Sequence, residues 1–294
     1  MMNQPIMIIG GGPGGISAAI QLHRSGYKPL IFESRQLGGL LVNAWRVENY
    51  PGFPAGISGL ELVQLFCEQL ALYHPEIVYD HVLSVEKTQS GYWLTTQKDQ
   101  HFSCQYLIIA TGTNPRQYTD LKLDKKEALS KRMYYEVDNI RHFKGKDISI
   151  IGGSDVAFDY AMTMSQENQV SIFMRGSKSK AIKTLCDTVQ MSQQIKVYPK
   201  SEIEDLELKD DRISLNFKTG ASIQNHMTDD LLFAIGRAPT MPQLVNKMVF
   251  ENEKEKSVFF VGDLKNSQYR QVAFAVSDGI KAAMTIDCMI RGEQ

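Results

Sequence analysis

The sequence predicts an α/β protein built from two similar domains, the second inserted into the first. The first observation is an internal repeat: residues 6–34 and 148–175 each read as a short apolar strand, a glycine-containing turn, a helix and a second strand. The second is that each copy later ends in a similar apolar strand, YLIIATG at 106–112 and LLFAIG at 231–236. A strand–turn–helix–strand unit of this size is a right-handed crossover, so each copy predicts a parallel sheet.

The order of the pieces predicts how the two domains are connected. The segment after Gly236 opens no third unit but carries VFFVGDLKNSQYRQVAFAVSDGIKAA at 258–283, which completes the first domain. Each expected crossing carries a proline, Pro115 or Pro239, as is typical of connections. We therefore expect two domains: residues 1–113 with 237–294, and residues 114–236.

Composition excludes several classes of function. The 294 residues carry a formal net charge of −1, which gives the whole molecule no electrostatic reason to bind nucleic acid or a membrane surface. No apolar run approaches the roughly 20 residues that cross a bilayer, and we expect a cytoplasmic protein. The cysteines lie far apart, without a CxxC or a zinc-type spacing, so we expect reduced thiols and no metal site. They are Cys67, Cys104, Cys186 and Cys288.

A glycine-rich turn in the first repeat predicts a dinucleotide site. Gly10, Gly12 and Gly15 form GxGxxG between a strand and a helix. In this motif the first glycine makes a tight turn, the second admits a pyrophosphate, and the third lets helix and strand pack closely. Glu33 ends the next strand, where a carboxylate can bind ribose hydroxyls. The alternative is a purely structural turn with a solvated glutamate.

The second repeat carries an imperfect copy of this turn. Gly152 keeps the first position, but Ser154 occupies the second and Ala157 the third. The spacing equates Arg175 with Glu33, and an arginine there favours NADP over NAD because it can bind the 2′-phosphate. The alternative is a solvated basic edge without a nucleotide. Three lysines follow: Lys178, Lys180 and Lys183.

Motifs along nearly the whole chain resemble those of bacterial thioredoxin reductases. They are GGGPGG at 10–15, ENYPGFPAGISGLEL at 48–62, IIATG at 108–112 and VGD…YRQVAFAVSDGIKAA at 261–283. The resemblance implies two Rossmann-like domains of three layers (ββα), FAD in the outer one, NADPH in the inserted one, and a homodimer.

The resemblance also implies which residues bind the cofactors. Gly262 and Asp263 are expected at the ribityl chain of FAD, and Asn49 and Thr111 beside the isoalloxazine ring. Arg270, Gln271 and Val272 would begin a helix whose N-terminus faces the flavin, where N–H groups stabilise negative charge. The expected FAD residues are Gly10, Gly12, Gly14, Gly15, Glu33, Asn49, Ala110, Thr111, Gly112, Gly262, Asp263, Arg270, Gln271 and Val272. The expected NADPH residues are Gly152, Ser154, Asp155, Val156, Arg175 and Lys180.

The middle of the chain departs from thioredoxin reductase. Counted back from the KGK at 144–146, the family's two redox cysteines fall on Tyr135 and Asp138. MYYEVDNIRHFKGK at 133–146 and AFDYA at 157–161 instead resemble the thioredoxin-reductase-like ferredoxin/flavodoxin–NADP reductases. The alternative is that Tyr134 and Tyr135 are only strand residues that pack.

We therefore expect an FAD enzyme that passes electrons from NADPH to a separate ferredoxin or flavodoxin, and is not a CxxC disulfide reductase. No side chain is assigned to acid–base catalysis. Residues 116–146 hold nine Lys/Arg against five Asp/Glu, which could attract an acidic carrier or form a solvated basic face. Only 24 residues follow Arg270, fewer than those reductases typically carry. Two rivals stay open: a flavoprotein that does not use NAD(P)H efficiently, and a non-catalytic FAD-binding sensor or interaction protein.

Overall fold

A computed structural model describes residues 6–119, 127–245, 257–266 and 269–293. The chain forms two compact units, which we call the outer unit and the inserted unit. The outer unit comprises Met1–Val42, Val47–Asn114 and Pro239–Gln294, and the inserted unit comprises Asn43–Arg46 and Pro115–Ala238.

The elements follow the predicted alternation of strands and helices. The strands are β1 (Ile6–Ile9), β2 (Leu30–Glu33), β3 (Glu76–Tyr79), β4 (Val82–Thr88), β5 (Gly91–Thr96), β6 (His101–Cys104), β7 (Tyr106–Ile109), β8 (Thr113–Pro115), β9 (Met133–Tyr134), β10 (Asp147–Ile151), β11 (Gln169–Met174), β12 (Ile195–Pro199), β13 (Ser201–Lys209), β14 (Arg212–Thr219), β15 (Ser222–Thr228), β16 (Asp230–Phe233), β17 (Arg237–Pro239), β18 (Gln243–Val245) and β19 (Val258–Phe260). The longer α-helices are α1 (Pro13–Arg24), α2 (Gly59–Ala71), α3 (Asp155–Met164), α4 (Lys183–Met191) and α5 (Val272–Arg291).

The outer unit has three layers. Its parallel sheet has the strand order β19-β7-β1-β2-β3, and a second sheet has the order β18-β4-β5-β6. Ile8 faces a core formed with α1 and α5, whereas its neighbour Ile9 faces a core formed with β4 and β5. Both faces of the parallel sheet are therefore buried, which explains why its strands are apolar without alternation.

The inserted unit repeats this architecture. Its parallel sheet has the order β12-β11-β10-β16-β9, and an antiparallel sheet follows with the order β13-β14-β15. Ile150 packs towards α3, and Ile151 packs towards the antiparallel sheet, where Phe217 lies. The predicted fold class is confirmed: an α/β protein with two Rossmann-like, three-layer units.

Candidate functional site

In the glycine turn of the outer unit, neither the backbone conformation nor a close contact within the protein explains why Gly12 is a glycine. Gly10 has φ +107°, and a Cβ on it would lie 2.3 Å from the carbonyl oxygen of Ala110. A Cβ on Gly15 would lie 1.9 Å from the Gly10 oxygen. Gly12, by contrast, has φ −77°, and the nearest protein atom to an added Cβ is Gly39 Cα at 3.9 Å. The free space at Gly12 therefore fits a ligand that approaches the backbone, as a pyrophosphate does.

Glu33 at the end of β2 is held in place by backbone N–H groups. Its Oε2 accepts the N–H of Gly11 at 2.7 Å, and its Oε1 accepts the N–H of Arg35 at 2.8 Å. The side chain is buried beside the glycine turn. Each carboxylate oxygen keeps a further lone pair, so Glu33 can still accept hydrogen bonds from ribose hydroxyls.

The helix that follows begins without a cap. Its N-cap residue, Gly12, has no side chain, Pro13 occupies the first turn, and no acidic residue lies there. The first N–H groups and the positive end of the helix dipole are thus available to an anion.

Gly14 is a glycine for a packing reason, because a Cβ on it would lie 3.2 Å from both the Ala275 oxygen and Val261 Cγ2. Gly14 allows α1 to pack closely against α5.

A second helix N-terminus in the outer unit brings predicted flavin residues together. The Asn49 side-chain amide donates to Gln271 Oε1 at 2.9 Å, although the two residues are 222 positions apart. Val272 starts α5, which has no side-chain cap and no acidic residue in its first turn. The Nε of Arg270 is buried and has no hydrogen-bond partner among the described residues. A buried donor of this kind beside a helix N-terminus fits a site for an electron-rich ligand.

The predicted ribityl residues lie in a short 3-10 turn, Gly262–Leu264, after β19. Gly262 has φ +69°, and its N–H donates to Asp278 Oδ2 at 3.2 Å. Asp278 also accepts from the Lys265 ammonium at 2.9 Å. These contacts fix the backbone beside Asp263 against α5.

Thr111 and Gly112 close the opposite side of the glycine turn. The Thr111 hydroxyl donates to the carbonyl oxygen of Thr240. Gly112 has φ +64°, and its carbonyl accepts the N–H of Thr240 at 3.0 Å. Because its hydroxyl proton is used within the protein, Thr111 can offer a ligand an oxygen lone pair or its backbone.

Two glycines of this site, Gly38 and Gly39, were not predicted from the sequence. Gly38 has φ +101° and donates its N–H to the Gly11 oxygen at 2.8 Å. Gly39 has φ +54°, and a Cβ on it would lie 3.1 Å from Gly12 Cα. This loop therefore forms a wall of the cradle around Gly12. The signal was a pair of glycines shortly after Glu33.

The glycine turn of the inserted unit has the same frame and a different second residue. Gly152 has φ +156°, and a Cβ on it would lie 2.5 Å from the Ala234 oxygen. Ser154 is the N-cap of α3, but its hydroxyl makes no capping bond. Asp155 does not cap either, because its Oδ1 accepts the N–H of Ile182 at 2.8 Å. The Ser154 hydroxyl and the first N–H groups of α3 are available to a phosphate. Val156 follows in the exposed first turn.

The predicted equivalence of Arg175 and Glu33 is wrong by one residue. In the outer unit the last register partner in β2 is Phe32, directly before Glu33. The matching partner in β11 is Phe173, so Met174 takes the place of the glutamate. The crossover of the inserted unit is one residue shorter, which residue counting from the glycine did not show. Arg175 lies one position beyond the strand end.

Three cations at this edge are available to a phosphate. Arg175, Lys178 and Lys180 are exposed, and within the described part of the chain no ion pair involves them. The fourth predicted cation, Lys183, is engaged in an ion pair of 2.7 Å with Asp187. The cation cluster of the inserted unit therefore comprises the first three side chains.

The chain after Arg175 is fixed to the glycine turn by its backbone. The Gly153 oxygen accepts the N–H of Lys180 at 2.8 Å and the hydroxyl of Ser179 at 3.1 Å. The contact matches that between Gly38 and Gly11 in the outer unit. A lysine thus stands where the outer unit uses a glycine.

The two positions expected for redox cysteines carry no thiol chemistry. The Tyr135 hydroxyl accepts the N–H of Tyr118 at 3.1 Å, and its ring stacks on Phe233 at 5.3 Å between centroids. Asp138 lies 3.7 Å from the Arg141 guanidinium. Tyr135 is therefore packed within the inserted unit, as the packing alternative anticipated.

All four cysteines are free thiols, and three of them lie in separate environments. Burial raises the pKa of the Cys104 thiol to about 12, and burial also raises the pKa of Cys67. Cys67, Cys104 and Cys186 pack against three different hydrophobic cores. Thiols with raised pKa values are poor nucleophiles because the thiolate is the reactive form. The free cysteines are Cys67, Cys104, Cys186 and Cys288.

Most of the described cations of the basic stretch at 116–146 are ion-paired, three of them with acids elsewhere in the chain. Part of it, residues 120–126, lies outside the described residues. Four of its six described cations form ion pairs, which removes most of the expected local excess. The pairs are Arg132–Asp211, Arg141–Asp138, Lys144–Glu167 and Lys146–Asp230.

Comparison with known proteins identifies the class. Residues 67–272 match the sequence model of the family described as pyridine nucleotide-disulphide oxidoreductase, and residues 8–63 match that of an NAD(P)-binding Rossmann-like domain. The chain belongs to the pyridine nucleotide-disulphide oxidoreductase family. It is an FAD- and NADPH-dependent oxidoreductase of the thioredoxin reductase type, which confirms the predicted cofactors and resemblance.

Individual relatives agree with this class. The chain is 27% identical over 300 residues to thioredoxin reductase of Rickettsia conorii, covering 95% of this chain and 96% of that protein. It is 27% identical over 309 residues to NADPH-dependent thioredoxin reductase 3 of Arabidopsis thaliana, covering 96% of this chain but 57% of that protein. The crystal structure of T. acidophilum thioredoxin reductase superposes with a TM-score of 0.86 at 26% identity, covering 99% and 100% of the two chains.

None of the helices in the described ranges combines the length and the apolar character that a membrane crossing requires.

Proposed function

We propose that this protein passes electrons from NADPH through FAD to a separate acceptor without a thiol relay, and that the acceptor is a ferredoxin or flavodoxin. The observation that carries the proposal is that the sequence has no CxxC, and that Tyr135 and Asp138 stand where counting back from the KGK at 144–146 would place the family's redox cysteines. FAD, held by the outer unit, would supply the redox chemistry that connects NADPH with the acceptor. In this proposal the outer unit binds FAD, the inserted unit binds NADPH, and the protein is a homodimer.

The environment of the cysteines supports the absence of a relay. Disulfide reduction needs a thiolate that attacks a disulfide sulfur, and a second thiol that resolves the mixed disulfide. Cys104 has a pKa of about 12, so its thiolate is scarce at neutral pH. Cys186 is partly buried against a core of the inserted unit, and Cys67 is partly buried against a core of the outer unit. No vicinal pair exists in the sequence.

The choice of acceptor is supported by the segment 133–146, which resembles the ferredoxin/flavodoxin–NADP reductases. A broad positive surface does not support this choice of acceptor, since most described cations of the basic stretch at 116–146 are ion-paired. Docking of an acidic carrier would therefore use a few cations, such as Arg116 and Lys131, for which no ion pair is found in the described ranges. We expect a weaker salt dependence than the sequence alone predicts.

A second candidate function is reduction of a thioredoxin-type disulfide protein. It is favoured by the relatives, which are thioredoxin reductases. It would require two of the four separated cysteines to act together. We treat it as the competing outcome of the same experiment.

The test is anaerobic mixing of the flavin-loaded protein with NADPH, followed by ferredoxin, flavodoxin or thioredoxin. We expect NADPH to bleach the flavin, and a carrier to restore its colour while thioredoxin does not. A variant with all four cysteines changed to alanine should keep the carrier activity. Thioredoxin turnover by the wild type that this variant loses would contradict the proposal. Absence of bleaching would favour a flavoprotein that does not use NADPH.

A further inference from the structure

We infer that Arg237 recognises the nicotinamide half of NADPH, and that Glu136 and Tyr160 hold it in position for this task. The inference rests on the proposed use of NADPH by the inserted unit. It concerns the part of the inserted unit that follows β16, whereas the cation cluster formed by Arg175, Lys178 and Lys180 follows β11.

Arg237 is fixed by a buried carboxylate. Glu136 is 7% exposed, and its Oε1 lies 2.8 Å from the Arg237 Nη1. Its Oε2 accepts the Tyr160 hydroxyl at 3.0 Å and the Asn43 side-chain amide at 2.9 Å. Such a charge-assisted, fully hydrogen-bonded cluster leaves the guanidinium little rotational freedom. Glu136 and Tyr160 are therefore positioning residues for Arg237.

The cluster lies beside the glycine turn at the carboxyl ends of the parallel strands. A cavity of about 30 Å³ is lined by Arg237, Ser154, Val156, Tyr160 and Gly236, among others. Ser154 and Val156 belong to the start of α3, and Gly236 follows β16. Ligands of doubly wound sheets bind in this crevice, with their pyrophosphate at the helix N-terminus. Arg237 is thus next to the expected position of the pyrophosphate.

The strand order decides which half of the nucleotide Arg237 meets. β11 and β16 lie on opposite sides of β10 in the sheet. The cation cluster follows β11, the side on which the ribose with the 2′-phosphate is recognised. Arg237 follows β16, so it faces the other half, which carries the nicotinamide.

The size of the cavity limits the mode of recognition. A volume of about 30 Å³ holds a water molecule and is too small for a nicotinamide ring. The guanidinium therefore acts at the mouth of the cavity, on the phosphate or ribose of the nicotinamide nucleotide. The outer unit has the uncharged, buried Thr113 after Gly112 at the matching place. The cation is thus specific to the unit in which Ser154 replaces a cradle glycine.

The test must keep the buried cluster neutral overall. Removal of Arg237 alone would leave Glu136 buried without its counter-ion, a change that can unfold the unit. The double variant Glu136→Gln/Arg237→Met removes both charges and preserves the approximate volume. Tyr160→Phe removes only the hydroxyl that orients Glu136, and Arg175→Ala is the matched control at the adenosine end.

The experiment is calorimetric titration of the flavin-loaded protein with NADP⁺ and, separately, with 2′,5′-ADP, which lacks the nicotinamide half. We expect the double variant to bind NADP⁺ roughly tenfold more weakly and 2′,5′-ADP with wild-type affinity. Tyr160→Phe should weaken NADP⁺ a few-fold, again without effect on 2′,5′-ADP. Arg175→Ala should weaken both ligands.

The outcomes separate this inference from the proposed function. Unchanged NADP⁺ affinity in the double variant, or equal weakening of both ligands, overturns the role of Arg237 and leaves the proposed function intact. A wild type that binds 2′,5′-ADP and NADP⁺ with equal affinity also overturns it. A wild type that binds neither ligand removes the proposed use of NADPH as well, and with it this inference.

Discussion

The glycine turns of the two units share a backbone frame and differ in almost every group that would meet a nucleotide. Gly10 and Gly152 both lie against a carbonyl oxygen of a neighbouring strand end. Beyond that point, the outer unit offers free space at Gly12 and a fixed carboxylate at Glu33. The inserted unit offers the hydroxyl of Ser154 in place of the second glycine.

The two units differ in whether the side chains near the ribose would repel or attract a phosphate on it. In the outer unit, the carboxylate of Glu33 can accept from ribose hydroxyls and would repel a phosphate on the same ribose. In the inserted unit, Met174 removes that repulsion, and Arg175 and Lys180 add positive charge nearby. One fold therefore supports two recognition chemistries, because the frame fixes the pyrophosphate position and leaves the flanking residues free to vary.

The largest expected effect is the loss of FAD when the glycine turn of the outer unit is changed at Gly12. Gly12→Val should abolish FAD retention, because a branched side chain would fill the space next to the pyrophosphate. The protein should still fold, since neither φ at Gly12 nor a contact closer than 3.9 Å requires glycine there. The measurements are the flavin-to-protein absorbance ratio and the circular dichroism spectrum.

Gly12→Ser is the sharper form of this test, because it gives the outer unit the side chain present in the inserted unit. We expect it to lower the FAD content less than Gly12→Val does. Full flavin content in Gly12→Val would show that the pyrophosphate does not lie at this turn.

The next effect concerns the choice between NADPH and NADH. Arg175→Ala should weaken NADPH roughly ten- to a hundredfold, since a charge-assisted bond to phosphate contributes on the order of 1.5–3 kcal/mol. NADH, which lacks the 2′-phosphate, should be nearly unaffected. Lys183→Ala is the control, because Lys183 already pairs with Asp187. Equal losses for both nucleotides would assign Arg175 to folding or to a shared part of the nucleotide.

The sequence predicted those features that depend on local pattern. The apolar strands and GxGxxG were sufficient for the fold class and for the conformations of Gly10 and Gly15. The place of Glu33 could not be transferred to the second repeat by counting, because its crossover is one residue shorter and Met174 occupies that place. Only strand register shows this shift.

Ion pairs between residues that are far apart in the chain could not be predicted from the sequence either. The excess of cations in 116–146 looked like a surface patch, but Arg132 and Lys146 pair with Asp211 and Asp230, far along the chain. Glu136 and Arg237 likewise meet across 101 positions. Local charge counts predict a surface field only where such partners are absent.

The helices after the two glycine turns also differ at a position that is occupied by the buried Ser17 in α1 and by the partly buried Asp159 in α3. Asp159 accepts the backbone N–H of Trp45 at 2.9 Å. Burial raises the pKa of Asp159 to about 6, although this hydrogen bond and the charge of Arg141 oppose the shift. An ionised Asp159 therefore destabilises the inserted unit in a way that the hydroxyl of Ser17 cannot.

The sign of the effect follows from proton linkage. The folded state holds the Asp159 proton more tightly than the unfolded chain, whose aspartate pKa is about 3.9. The destabilisation by the ionised carboxylate of Asp159 is thus absent below about pH 4, grows as the pH rises towards 6, and is complete above pH 6.

Asp159→Asn, which is neutral at every pH and keeps an acceptor oxygen for Trp45, should raise the free energy of unfolding at pH 7.5 by roughly 1–3 kcal/mol. The gain should shrink at pH 4.5, and urea unfolding at both pH values measures it. A stability difference for Asp159→Asn that does not change with pH would mean that packing or the hydrogen bond, rather than the buried charge, distinguishes α3 from α1.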